Sequence, residues 1–191
     1  MRLTPDKFSS TQTKPLPLLS MRLTPDLIKS SPQFWNALKM REIDLRGHRI
    51  PTIENLSATF DQFRVIDLSD NSLRSLEGFS TLKLLEILLV INNKLSSIGS
   101  TIGNYLPNLS TLILTRNSLA STDALIPLQH LPHLTELSLL DNPLSLLPNY
   151  RNSVIRLLPK LKILDFQKIS TKERIQALEQ QGPTFSAGEV V

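Results

Sequence analysis

Phe63-Arg64-Val65-Ile66-Asp67-Leu68-Ser69-Asp70-Asn71-Ser72-Leu73 is a pattern the chain repeats: apolar-x-x-apolar-x-apolar-x-x-Asn-x-apolar. Leu85-Leu88-Val90-Asn93-Leu95, Leu109-Leu112-Leu114-Asn117-Leu119 and Leu134-Leu137-Leu139-Asn142-Leu144 keep the frame. Met40-Ile43-Leu45-His48-Ile50 is a divergent copy ahead of them. The polar position falls at 48, 71, 93, 117 and 142, at intervals of 23, 22, 24 and 25 residues. Within each copy the fourth and sixth positions share one face of a short strand, and the third, fifth and seventh share the other. The Asn follows where the strand must turn, and its amide both donates to and accepts from backbone groups that a turn leaves unpaired. Stacked copies therefore form a ladder, and these Asn residues are read as structural rather than catalytic or glycosylated.

A period of this length with this consensus is the leucine-rich-repeat signature. The predicted class is α/β: a right-handed solenoid with a parallel concave sheet of about five to six short strands. Caps are expected at both ends, because a terminal repeat otherwise exposes its core. Thr24-Pro25-Asp26 predicts a helix start, with Thr24 as cap, Pro25 in the first turn and Asp26 at the positive helix end. A second helix is expected over Pro32 to Leu38, covering the first repeat with Phe34, Trp35 and Leu38. At the other end a helix closing before Pro159 leads to a last strand over Leu161 to Phe166, with Ile169 where the Asn would stand. Thr171 to Gln181 reads as a charged helix. The repeat domain with its caps is placed at 21–178 and a flexible tail at 179–191. Met1 to Asp6 recurs unchanged as Met21 to Asp26, so 1–20 reads as a disordered extension or a duplicated start.

The chain has no cysteine, which excludes a disulfide framework and favours a reducing compartment. No apolar run approaches the roughly 18 residues of a membrane span, so no membrane partner is expected. There is no phosphate loop, HExxH or nucleophile elbow, and the reading is of a non-enzyme without cofactors. His130 and His133 lack a Cys or acidic pair to complete a metal site. Asp67 and Asp70 read as solvated carboxylates rather than an acid dyad.

Function is legible in the letters that vary. In register, the outward triplets are Glu42-Asp44-Arg46, Val65-Asp67-Ser69, Ile87-Leu89-Ile91, Thr111-Ile113-Thr115, Glu136-Ser138-Leu140 and Ile163-Asp165-Gln167. Val65, Ile87, Leu89, Ile91 and Ile113 thus form an apolar centre, rimmed by Glu42, Asp44, Arg46 and Asp67 on one side and by Glu136 and Asp165 on the other. An apolar patch inside a polar rim has the anatomy of a protein interface. The expected protein-binding residues are Asp44, Arg46, Val65, Asp67, Ile87, Leu89, Ile91, Ile113 and Leu140. A helix laid across the sheet is the expected occupant, belonging either to a partner or to a terminal segment of this chain.

The net charge is +4, and residues 151–191 hold seven Lys/Arg against four Asp/Glu. Arg151, Arg156, Lys160, Lys162, Lys168, Lys172 and Arg174 gather near the C-terminal cap. They suit either a phosphate backbone or ordinary solvation.

Arg41 to Gly47, Ile50 to Leu56, Ala58 to Phe63, Leu164 to Lys168 and Lys172 to Arg174 carry more than the generic frame. Over roughly Met21 to Leu178 the chain resembles the A-prime family of the U2 small nuclear ribonucleoprotein. Ile91 stands where that family often has Asn. The resemblance implies a nuclear, spliceosomal scaffold whose concave face receives a helix of B-double-prime, an RNA-recognition-motif protein. It further implies that the pair binds a U2 small nuclear RNA stem-loop and meets other spliceosomal proteins. Arg151, Lys160, Lys162, Lys168, Lys172 and Arg174 are the expected RNA contacts. A regulatory repeat module of phosphatase- or histone-binding type shares the frame and is the alternative.

Overall fold

A computed structural model of the chain describes residues 22–179. The segments 1–20 and 180–191, for which an extension and a tail are expected, lie outside the described residues.

Helix α1 (Pro25–Ser30) starts as its sequence requires: the Thr24 hydroxyl accepts the Leu27 N–H at 3.2 Å. Next come β1 (Gln33–Trp35) and β2 (Arg41–Asp44), a hairpin pairing Phe34 with Glu42. The expected second helix is therefore absent. Pro32 suits a helix start, but the Asn36 side chain takes the N–H groups of Leu38 and Met40 at 3.0 and 3.1 Å. With Lys39 left-handed (φ 58°), the chain doubles back instead. Nor do these side chains form a buried cover: Phe34, Trp35 and Leu38 are 43, 72 and 67% exposed.

The repeats then alternate strand and return: β3 (Val65–Asp67), β4 (Ser75–Leu76), β5 (Ile87–Leu89), β6 (Ser97–Ile98), α2 (Ile102–Tyr105), β7 (Thr111–Ile113) and β8 (Glu136–Ser138). After α3 (Tyr150–Leu157) follow β9 (Ile163–Leu164), β10 (Gln167–Lys168) and α4 (Thr171–Glu179). Strands β1-β2-β3-β5-β7-β8-β9-β10 form one eight-stranded sheet. Its six inner strands run parallel, and an antiparallel strand closes each end. On the convex side β4 pairs with β6, and the other returns are short helices, including 3₁₀ segments at Leu56–Thr59 and Thr122–His130. The fold is a leucine-rich-repeat solenoid.

The inward row Ile43, Ile66, Leu88, Leu112, Leu137 and Leu164 is at most 1% exposed. Burying each such side chain contributes about 1.5–3 kcal/mol, the main force holding repeat to repeat. The Asn ladder forms as the frame predicts. Asn117 takes the Leu95 N–H at 3.0 Å and donates to the carbonyls of Val90 and Leu114 at 2.8 and 2.9 Å. Asn71, Asn93 and Asn142 likewise accept from one copy and donate within the turn. The residue before each polar position is left-handed: Gly47, Asp70, Asn92, Arg116 and Asp141. That column turns the chain off the sheet.

The last copy ends the sheet by a different device. Asp165 and Phe166 are both left-handed (φ 54° and 60°), so β9 reverses into β10 through a two-residue hairpin instead of running on to Phe166. The Asp165 carboxylate then accepts the Leu139 N–H at 2.7 Å, a group that in earlier copies meets the next strand's carbonyl. The Tyr150 hydroxyl donates to its other oxygen at 2.9 Å. Burial and that carboxylate push the Tyr150 phenol well above its ordinary range, so it stays a donor. Helix α4 begins in a capping box, with Ser170 and Glu173 bonded reciprocally at 3.2 and 2.7 Å. No helix among the described residues is long and apolar enough to cross a membrane.

Candidate interaction face

Strand register builds the concave face row by row. Glu42, Val65, Ile87, Thr111, Glu136 and Ile163 align in one row, and Asp44, Asp67, Leu89, Ile113 and Ser138 in the next. The third row is extended by the bonds Asp70 N–H to Ile91, Asn92 N–H to Thr115 and Arg116 N–H to Leu140. The grouping expected from parity is therefore present, but its accessibility differs. Val65 is 2% exposed, Asp67 7% and Ile113 6%: strands one hydrogen bond apart on a concave surface shade their neighbours. In this conformation these three present little surface. Ile87, Leu89 and Ile91 are half-buried, and Leu140 is exposed. The reachable apolar surface is thus the strip Ile87-Leu89-Ile91, with half-buried Ile163 and exposed Leu140 beyond it. Phe34, which sequence reasoning assigned to a helix, enters the first row opposite Glu42.

The rim beside this strip is internally paired. The Arg46 guanidinium reaches Asp44 at 2.6 Å and Asp67 at 3.4 Å. Its hydrogen bond holds the Asp44 carboxyl below the usual carboxylate range, and the two carboxylates keep Arg46 charged. Asp67 also accepts the Ser69 N–H at 2.8 Å, which fixes it further. Of the two carboxylates, Asp44 alone is open enough to meet a partner. Among the described residues neither end helix lies across the sheet: α1 packs on the Leu56–Thr59 turn and α4 on α3.

The basic cluster divides. Arg151 pairs with Glu173 at 2.6 Å and donates to the Leu164 carbonyl, while Arg174 donates to the carbonyls of Pro159 and Leu161. Both arginines bind the cap together. The Ser170 N–H and the Arg151 guanidinium hold the Glu173 carboxyl at about 2. Lys160 leans on the Pro132 carbonyl at 3.4 Å. Lys162, Lys168, Lys172 and Arg156 are exposed and form no ion pair among the described residues. The surface available to an anion is this smaller set. Among the described residues no three His, Cys, Asp or Glu side chains are grouped to hold a metal ion.

A family model described as leucine-rich repeat matches residues 20–185. The chain is 50% identical over 157 residues to U2 small nuclear ribonucleoprotein A′ of Arabidopsis thaliana, covering 82% of this chain and 63% of the relative. To the human A′ protein it is 49% identical, covering 82% and 62%. To that of Aspergillus fumigatus it is 44% identical over 175 residues, covering 90% and 69%. The chain thus spans under two thirds of the plant and human relatives. Among solved structures, the Drosophila melanogaster SNF/U2A′ complex contains a chain that superposes with a TM-score of 0.82 at 46% identity, covering 83% of this chain and 91% of that one.

Proposed function

The chain belongs to the U2 A′ family of leucine-rich-repeat proteins, and we propose that it is a non-catalytic scaffold subunit of the U2 small nuclear ribonucleoprotein, acting in the nucleus in pre-mRNA splicing. Its concave face receives the RNA-recognition-motif partner, the B-double-prime protein, and the pair binds a stem-loop of U2 small nuclear RNA. The observation that carries this reading is the accessible strip Ile87-Leu89-Ile91, with the Asp44–Arg46 pair one strand beyond it across β3, on a sheet superposable on one found in complex with SNF. A helix laid there buries its apolar stripe against Leu89 and aligns its charges with the rim, which fixes orientation more than it adds affinity. Holding the partner in one pose lowers the ordering cost of RNA capture, and Lys160, Lys162, Lys168 and Lys172 add phosphate contacts from the cap.

Two measurements test this. Leu89→Asp is expected to weaken partner binding in a titration by about thirtyfold or more, as loss of a central anchor does, with the melting temperature preserved. Unchanged affinity sinks the concave-face claim. Charge reversal at Lys162, Lys168 and Lys172 is expected to weaken RNA capture by the pair and to lower the salt slope by about 0.9 for each phosphate left without its lysine. An unchanged slope removes direct RNA contact from this chain.

A further inference from the structure

Strand β1 is an open edge of the eight-stranded sheet. The Asn36 N–H donates to the Met40 carbonyl and the Asp44 N–H to the Pro32 carbonyl, in the register that pairs Phe34 with Glu42. In such an antiparallel ladder the intervening residues, Gln33 and Trp35, direct their N–H and C=O groups away from β2. Among the described residues nothing bonds to these four groups. Edge strands are ordinarily blunted by a charge on the strand itself or by a covering element. Here the strand reads Gln-Phe-Trp, and Trp35 is 72% exposed.

The charges stand beside the edge. Lys29, Lys39 and Arg41 form no ion pair among the described residues. Arg41 lies over the Phe63 ring at 5.1 Å and donates to the side chains of Gln62 and Gln33 at 2.6 and 3.3 Å. The nearby carboxylates are charged but line neither cleft beside the strand: Glu42 accepts from Asn36 at 2.9 Å, Asp61 accepts the Lys83 and Leu84 N–H groups, and Asp26 sits in the first turn of α1. Two shallow clefts flank the strand and share Gln33 and Arg41, one lined also by Phe34 and Trp35, the other by Lys29 and Phe60. A second copy would set like charges against each other. The chain's own residues 1–20 hold Arg2, Lys7 and Lys14 against Asp6, the same mismatch.

We propose that the β1 edge takes an extended, acidic segment of another protein as a ninth strand, its backbone bonded to Gln33 and Trp35 and its alternate side chains seated in the two clefts. Backbone bonds supply the affinity and the lysines select the sign of the ligand's charge. The site stands independently of a partner on the concave face.

Trp35 is the only tryptophan, so its fluorescence reports directly on the edge. A ten-residue peptide alternating glutamate with valine is expected to give a saturable blue shift in the full chain. The same peptide with alternate amides N-methylated cannot add as a strand and is expected to give none. Gln33→Pro removes an outward N–H without touching the β1–β2 ladder, and is expected to weaken binding about fivefold, one net hydrogen bond, while Gln33→Ala changes it less than about twofold. Circular dichroism confirms that both variants fold. Lys29→Glu with Lys39→Glu is expected to transfer the preference to a lysine-valine peptide. The proposal is overturned by equal binding of the N-methylated peptide, by equal effects of the two Gln33 variants, or by no saturation up to millimolar peptide. It also fails if the shift arises only with an oligothymidylate, accompanies dimerisation in sedimentation, or appears only after removal of residues 1–20.

Discussion

Replacing Asn117 by Ala tests whether the ladder, rather than leucine packing alone, holds the middle of the solenoid. Asn117 is 7% exposed and serves four backbone groups: the Leu95 N–H and the carbonyls of Val90, Leu114 and Thr115, the last of which also accepts the Asn92 N–H. The Leu114 carbonyl keeps a second donor, the Asn142 amide at 2.8 Å. Truncation therefore orphans two buried groups, each costing about 1–3 kcal/mol. The vacated space adjoins the turn and admits some water, so the expected loss is about 2–4 kcal/mol, the lower part of that sum. His48 holds the equivalent place in the first copy, but its backbone N–H is served by Asn71 and its ring is only half-buried. His48→Ala is accordingly expected to cost less than about 0.5 kcal/mol. Urea unfolding followed by circular dichroism gives both values, and hydrogen exchange at the Leu95 amide localises the first. Equal losses in the two variants, or a Leu95 amide still protected in Asn117→Ala, refute the reasoning.

Ile113→Asp is expected to unfold the central repeats, costing about 3 kcal/mol or more for an unpaired buried charge, whereas Leu89→Asp leaves the melting curve within a few degrees; thermal denaturation separates them. Gly78 is left-handed (φ 85°) and a Cβ there would lie 2.1 Å from the Ile53 carbonyl oxygen, while Gly47 (φ 75°) has nothing within 4 Å. Gly78→Ala should therefore cost about 3 kcal/mol or more and Gly47→Ala about 1 kcal/mol, the conformational term alone, in the same urea assay. Glu173 sits at about 2 when folded, below its ordinary 4.5, so its stabilisation of α4 is complete above that ordinary value and is lost as pH falls from it toward 2. Exchange protection of α4 should follow that window in the wild type and become flat across it in Glu173→Gln.

The fold was legible wherever a side chain's role is set by its own repeat. Leu88 or Asn93 needs only the copy before and after it, and both are supplied at a fixed interval. The ends failed for the same reason: there a residue answers to a turn the frame does not encode. Pro32, Phe34 and Leu38 fit a helical face, yet Asn36 supplies a competing local turn and an unpaired β2 edge is available to accept the strand. At the other end, Ile169 marks a lost Asn, but the group that replaces the ladder is Asp165, four residues earlier, held by Tyr150 from a different element.

The interaction face was legible in direction but not in depth. Parity assigns Val65, Ile87 and Ile113 alike to the concave surface, because period two knows only which side a residue faces. Accessibility depends on what stands in the adjacent strand. Ile113 lies between Leu89 and Ser138, and Val65 between Glu42 and Ile87, so each is shaded by its neighbours. Leu89 borders Asp67, whose carboxylate is drawn toward Arg46 and the Ser69 N–H. Beyond Asp67 on that side, Arg46 and Asp44 form the rim. The same ion pair that charge counting treats as a contact thus also fixes the carboxylate beside Leu89. Arg46→Ala is therefore expected to weaken partner binding more than the loss of one exposed charge would, and Arg46→Lys, which cannot bridge both carboxylates in a planar fork, should rescue it only in part.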